Sequence, residues 1–368
     1  MMQLAELVCI PRLVRVKPGA LDRIGIYLER HALARVALLV SEGLPATIEG
    51  RFTDACGERG IDIDERIELC EASFEGAATL LDALPATTQA VVGLGGGKAL
   101  DVAKYVAHLA RRPFFALPTS LSNDGFASPQ SSLTLAGRRR SLPSAMPFAV
   151  VVDTAVCLAA PDPLWWSGVG DLVAKVTAIA DWKLAFHTVG TPVHDFAALL
   201  SDATVYQFMA RPERDLDGTR LLATALMLNG FAMAIAGSSR PASGGEHLIS
   251  HALDAVSARP RLHGLQVGVA TYLISRLQGQ GTERIDHVLE RCGFWDGVAA
   301  DPFDRDEWIE ALRLAPTLRP GYVTVLSSRD CLPEAMELLE RDARLSRCVV
   351  GRDGRRDAAV TRPGSVDR

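Results

Sequence analysis

The chain of 368 residues has little sulfur chemistry to offer. Its seven cysteines, at positions 9, 56, 70, 157, 292, 331 and 348, are odd in number and include no C-x-x-C pair. That argues against a disulfide framework and against a thiolate zinc site, and it suits a reducing compartment. Long apolar runs are also missing. No stretch of about 18 uninterrupted apolar residues occurs, so no membrane span is expected. The N-terminal "MMQLAELVCIPRLVRV" lacks the basic-then-apolar order of a secretory signal, and a cytoplasmic protein is expected. Positive charge is scarce as a cluster: the net charge is −5, and the one basic run, Arg138-Arg139-Arg140, reads as a solvated turn. No nucleic-acid partner is therefore expected.

What is present is an ordinary globular composition, 48% hydrophobic and 23% charged, with enough length for two domains. Through residue 152, strand-like and helix-like segments alternate: "ARVALLVS", "TIEGRFTDACGERG", "IDIDERIEL", "FEGAATLLDALP", "TQAVVGLGGG", "KALDVAKYVAHLARR", "PFFALPTS". This rhythm predicts a parallel sheet covered by helices. A hairpin and one more strand are expected over 131–152. Beyond Pro161 the segments are long, Ala- and Leu-rich and helically periodic. The expected organisation is an α/β Rossmann-like domain at 1–160, an all-α domain at 161–350, and a disordered polar tail at 351–368.

Three motifs carry chemistry. In "VVGLGGGKALDVAK" a strand runs into Gly95-Gly96-Gly97 and then a helix, a setting that lets backbone approach a phosphate at a helix N-terminus. It is neither a Walker A loop, since Ala99 follows Lys98, nor a G-x-G-x-x-G loop. In "LPTSLSNDGFASP", the polar residues Thr119, Ser122, Asp124 and Ser128 follow a buried strand, where ligand crevices of α/β sheets lie. An Asn-Asp-Gly surface turn accounts for the same residues. In "GGEHLISHALDAVSARPRLHG", His247 and His251 stand one helical turn apart, and His263 opens the next helix after Pro260. These histidines fit core packing, a metal site, or a division between metal and acid/base work. A catalytic zinc needs a third protein ligand. Asp171, after a Gly-x-Gly expected at a helix start, offers one; a carboxylate at a helix N-terminus serves equally well.

Taken in order, "GLGGGKALDVAK", "LPTSLSNDGFASP", "GVGDLVAKVTAIADWKLA", "SSRPASGGEHLISHALD" and "HGLQVGVAT" resemble the metal-dependent polyol dehydrogenases and dehydroquinate synthase. Within that superfamily the sequence looks most like the sn-glycerol-1-phosphate dehydrogenase family. The resemblance covers roughly residues 10–350. It implies metal ligation by Asp171, His247 and His263, with His251 and Asp124 facing the substrate. It implies a nicotinamide cofactor, NAD or NADP, on Gly95, Gly96, Gly97, Lys98, Asp101, Thr119, Ser122 and Ser128. Iron-dependent relatives carry a histidine four residues after the aspartate. Lys175 stands there, which favours a three-ligand, zinc-type site, with nickel and iron as the alternatives. The acid after the first strand, Glu42, is offset by one residue, which leaves NAD and NADP open. The implied reaction interconverts dihydroxyacetone phosphate and sn-glycerol 1-phosphate. Lys175 and Arg240 are candidate partners of the substrate phosphate. A homo-oligomer is expected. Rival readings are a polyol dehydrogenase acting on an unphosphorylated substrate, a dehydroquinate synthase-like cyclase, and a catalytically silent binding protein.

Overall fold

Alternate residues of five strands point to one face and are buried with one set of helices. In the computed structural model, which describes residues 10–351, the strands are β1 (Leu13–Lys17), β2 (Arg35–Ser41), β3 (Asp62–Leu69), β4 (Ala90–Gly95), β5 (Phe114–Pro118) and, after a hairpin, β8 (Ala149–Asp153). They form one six-stranded sheet in the order β1-β8-β5-β4-β2-β3, with every neighbouring pair parallel. Val36, Leu38, Val40, Val92, Leu94, Phe115 and Val151 share a core with Ile24 and Leu28 of α1 (Ile24–Arg30) and with Phe52 and Ala55 of α2 (Ala46–Gly57). The other face takes α4 (Gly97–Ala110), which follows α3 (Phe74–Ala83). There Gly93 lets the helix settle onto the sheet: a Cβ at this position would lie 2.9 Å from the Cβ of Ala103. Side chains alternate across a strand with a period of two, so a run such as "ARVALLVS" feeds both faces. The hairpin, β6 (Gln130–Leu135) and β7 (Arg138–Pro143), is antiparallel and lies outside this sheet.

The remaining chain is helical: α5 (Thr154–Leu158), α6 (Asp162–Val189), α7 (Asp195–Met209), α8 (Leu216–Ala236), α9 (Gly245–Val256) and α10 (His263–Gln278), followed by shorter helices. One feature departs from an all-helical second half. The two-residue strands Phe303–Asp304 and Val349–Val350 pair in parallel. The polar tail lies, from residue 352 on, outside the described residues.

By contacts the chain separates into two interleaved compact units. The first comprises residues up to Gly168 together with His194–Ala242; the second comprises Val169–Val193 and the residues from Ser243 on. A single boundary near residue 160 thus does not describe the packing. Helices α7 and α8 pair with each other, and α8 packs on the turn Asp124–Ala127, α5 and β1 of the first unit. The reason is visible at Gly230, where a Cβ would lie 2.3 Å from the carbonyl oxygen of Ala127. Helix α8 has the length and composition of a membrane span. Its Leu222, Ala223, Leu226 and Met233 are buried in the protein, which is how a core helix meets the same criteria.

Candidate metal and cofactor sites

In the first unit, the sheet order reverses between β2 and β4, where open α/β sheets form their ligand crevice at the strand carboxyl ends. The Ser41 hydroxyl, at the end of β2, accepts the Gly96 N–H at 2.9 Å. Gly95 has φ +147°, and a Cβ there would lie 2.1 Å from the Ser41 Oγ. Both facts demand glycine. Helix α4 then begins at Gly97 without a side-chain cap, so its first amides have no side-chain acceptor. Lys98 is exposed beside it. Thr119 is tied to this turn by its N–H, which donates to the Gly95 carbonyl at 3.0 Å. The carbonyl of Ser122 accepts from the Ser167 hydroxyl at 2.8 Å.

Two residues implied as cofactor contacts are engaged inside the loop's own scaffold. The Asp101 carboxylate lies 3.3 Å from the Lys104 ammonium, and both are buried. Burial pushes the Asp101 carboxyl up against the pull of Lys104 and Arg139, and it pushes the Lys104 ammonium down. Lys104 also donates to the Gly125 carbonyl at 2.6 Å. The Ser128 hydroxyl donates to the Gly125 and Gln130 carbonyls at 3.3 and 3.1 Å. The segment holding Asp124 is thereby clamped: Asn123 accepts the Gly125 N–H at 2.9 Å from one side and Lys104 holds the carbonyl from the other.

In the second unit, α6, α9 and α10 bring Asp171, His247 and His263 together. One ligand atom from each lies within 4.8 Å of the others, the single such group among the described residues. Asp171 does not stand at a helix start. Helix α6 begins at Asp162, and Gly168 and Gly170 lie inside it because of close approach, not because of a turn. A Cβ on Gly170 would lie 2.1 Å from the Gly264 carbonyl oxygen and 3.1 Å from the Gly268 Cα. The missing side chain lets α10 reach the position where its first residue, His263, meets Asp171.

Each histidine is oriented from behind. Glu246, wholly buried, accepts from His247 Nδ1 at 2.9 Å, from the Gly244 N–H at 2.5 Å and from the Thr177 hydroxyl at 2.9 Å. Ser250 Oγ lies 3.1 Å from His263 Nδ1 and accepts from Gln266 Nε2 at 3.0 Å. With Nδ1 occupied on both rings, Nε2 is the ligand atom left to each. His247 Nε2 is 3.4 Å from Asp171 Oδ1. A cation at about 2.1 Å from each donor needs side-chain movements of about an ångström. The residues therefore fit a divalent metal with an open coordination position.

The Asp171 carboxylate charge agrees with that fit, whereas His247 must give up a proton to bind a cation. Burial works to raise the Asp171 carboxyl, but Lys175, His247 and His263 outweigh it and hold the group far below the usual range. Burial works to lower His247, but its bonds to Asp171 and Glu246 carry it to about 9. Lys175, fully buried, donates to Asp171 Oδ1 at 3.1 Å, so its ammonium serves the carboxylate. Arg240 is buried in the first unit. His251 is exposed one turn beyond His247, with its ring centroid 6.0 Å from that of His263.

Sequence reasoning missed Asp181. This buried carboxylate accepts from the N–H groups of Gly245 and Val325 at 2.8 and 2.9 Å and from Gln278 at 2.8 Å, fastening the first turn of α9. Burial, with Glu246 nearby, raises it to about 7. An acid inside the apolar run "LVAKVTAIADWKLA" was the signal.

Known proteins resemble this sequence along nearly the whole chain. A glycerol-1-phosphate dehydrogenase (NAD(P)+) from Aeropyrum pernix is 36% identical over 343 residues, covering 90% of this chain and 96% of the relative. The chain belongs to the glycerol-1-phosphate dehydrogenase family. A Methanosarcina barkeri enzyme of the same name is 34% identical, covering 90% of this chain and 94% of its own. The family described as iron-containing alcohol dehydrogenase matches residues 15–161. Among solved structures, a glycerol dehydrogenase from Schizosaccharomyces pombe aligns with TM-score 0.70 at 17% identity, over 91% of this chain and 92% of that one. An iron-containing alcohol dehydrogenase aligns with TM-score 0.69 at 19% identity, over 94% and 99%. At those identities the likeness concerns the fold, an α/β part with a parallel sheet followed by a helical part.

Proposed function

We propose that this chain is a metal-dependent NAD(P)H oxidoreductase interconverting dihydroxyacetone phosphate and sn-glycerol 1-phosphate. The observation that carries the reading is the Asp171–His247–His263 group, in a chain whose relatives of that name match it over nine-tenths of its length. When bound, the cation supplies Lewis acidity and the nicotinamide supplies or accepts hydride.

This chain's own residues do the rest. Asp171, His247 and His263 hold the cation, with Glu246 and Ser250 keeping both rings in the ligating tautomer. Lys175 replaces the fourth, histidine ligand of iron-dependent relatives, which supports zinc. Gly95, Gly96, Gly97 and the uncapped start of α4 receive the cofactor pyrophosphate, with Lys98, Thr119 and Ser122 around it. Asp101 and Ser128 act there by shaping the loop. Asp124 contacts the substrate, and His251 gives or takes the proton at its imidazole nitrogen. The substrate is small and phosphorylated. A reducing, cytoplasmic setting is part of the same reading, and the described cysteines Cys56, Cys70, Cys157, Cys292, Cys331 and Cys348 form no disulfide.

A substrate panel tests the reading: dihydroxyacetone phosphate, sn-glycerol 1-phosphate, sn-glycerol 3-phosphate and glycerol, each with both nicotinamide cofactors, on zinc-loaded and chelated protein. Turnover confined to dihydroxyacetone phosphate and the sn-1 ester, and lost on chelation, is expected. Faster turnover of glycerol would favour a polyol dehydrogenase. Phosphate release without net cofactor consumption would favour a cyclase. Either result overturns the proposal.

A further inference from the structure

The first unit holds a cavity of about 210 Å³ that the chemistry above does not use. It lies at the amino ends of β1, β8 and β5, whereas Ser41 and Gly95 stand at the carboxyl ends of β2 and β4. Backbone pairing builds its floor. The Arg12 N–H donates to the Phe148 carbonyl and the Phe148 N–H to the Phe114 carbonyl, both at 2.9 Å. Its walls are apolar, with Ala107, Phe114, Pro147 and Phe148 among them, and the stem of Lys104 joins them. The Lys104 ammonium is engaged elsewhere, by Asp101 and the Gly125 carbonyl.

The other ionisable side chains of the lining are Arg12, His108 and Arg112, all exposed, and no carboxylate lies among them. His108 and Arg112 stand at the C-terminal end of α4, where the helix dipole attracts cations. Arg12 comes from the segment before β1, so the dipole does not account for it. A chain of net charge −5 thus gathers positive charge around one apolar recess.

We propose that this cavity binds a small phosphate monoester with a short apolar tail, the tail inside and the phosphate on Arg12 and Arg112. The proposal does not depend on the reaction assigned above. An inorganic anion would leave the apolar walls uncovered, and a neutral guest would leave the cations unmatched. One molecule with both halves answers both. Two guanidinium groups balance the charge of a phosphate monoester, which is about −1.5 to −2 at neutral pH, and their planar forks match its oxygens. Size limits the tail. An apolar cavity of about 150 Å³ takes a benzene-sized guest, whereas drug-sized ligands need about 300–1,000 Å³.

The test is calorimetric titration of the full, zinc-loaded chain with hexyl phosphate, beside 1-hexanol and inorganic phosphate. Hexyl phosphate should bind once per chain, at least about tenfold more tightly than either half alone. Arg12→Ser and Arg112→Ser should each weaken it about tenfold while far-UV circular dichroism and bound zinc stay unchanged, since both positions are exposed. Saturating NADH together with sn-glycerol 1-phosphate should leave the titration as it was. Hexyl phosphate that binds no better than inorganic phosphate or 1-hexanol would overturn the proposal. So would undiminished binding by the two arginine variants, or displacement by the cofactor and substrate, which would place the probe in their sites.

Discussion

Gly170→Ala should loosen the metal site without touching a ligand. On an ordinary helix this substitution gains about 1 kcal/mol of propensity. At Gly170 the new Cβ would stand 2.1 Å from the Gly264 carbonyl oxygen, and the obstacle is backbone, which cannot rotate away. Restoring a contact of about 3.4 Å means moving α10 off α6 by about 1.3 Å. His263 is the first residue of α10 and Asp171 the next residue of α6, so the whole displacement falls on the ligand pair. Overpacking of this kind costs about 1–3 kcal/mol after relaxation, enough to cancel the propensity gain. An ångström of error in a first ligand should weaken zinc at least as much as loss of an outer-shell partner, about 10–100-fold. The assay is chelator competition for zinc beside urea denaturation of the metal-free protein. Gly50→Ala is the control. Gly50 lies in α2 with nothing within 4 Å of its Cβ position, so that variant should gain about 0.4–1 kcal/mol and bind zinc normally. A Gly170→Ala protein with wild-type zinc affinity and raised stability would refute the claim that this close approach sets the ligand spacing.

Removing His263 as His263→Ala should abolish bound zinc and turnover together, whereas His251→Ala should retain zinc stoichiometrically and lose about 10²–10⁴ in kcat; metal analysis beside steady-state kinetics separates the two. Glu246→Gln keeps the size of the side chain but removes the charge that receives the His247 Nδ1–H, and zinc affinity should fall about 10–100-fold, read by the same competition assay. Asp181 predicts a pH dependence. Its folded value near 7 lies above the unfolded value near 3.9, so the folded state binds more protons between those limits and stability falls as pH rises through that window. Compared with Asp181→Asn, wild-type stability should therefore drop by about 1.4 kcal/mol per pH unit between pH 5 and 7 and level off above. Urea titrations of both proteins at pH 5, 6, 7 and 8 measure it, and a difference that ignores pH would contradict the assignment.

The parallel sheet was legible because strand and helix periodicities differ and the β-α alternation runs unbroken from Arg35 to Pro118. The glycine turn was legible because only glycine tolerates φ +147° beside Ser41. The pairing of His247 with His251 followed from helical spacing alone. Distance along the chain hid the rest. Ser250 behind His263 and Asp181 under α9 are ordinary residues until three helices converge, and no local pattern distinguishes them. The "GVG" before Asp171 reads as a turn by composition, yet it lies within a helix, since glycine also serves where backbones touch. Likewise the apolar periodicity of α7 announced a packed helix without saying that only one face would find α8. Sequence thus determined which elements form and which side chains share a face, both being matters of local repeat. Which faces meet, and therefore which polar groups gather in a dry interior where a few hydrogen bonds can set charge and tautomer, was decided by tertiary packing.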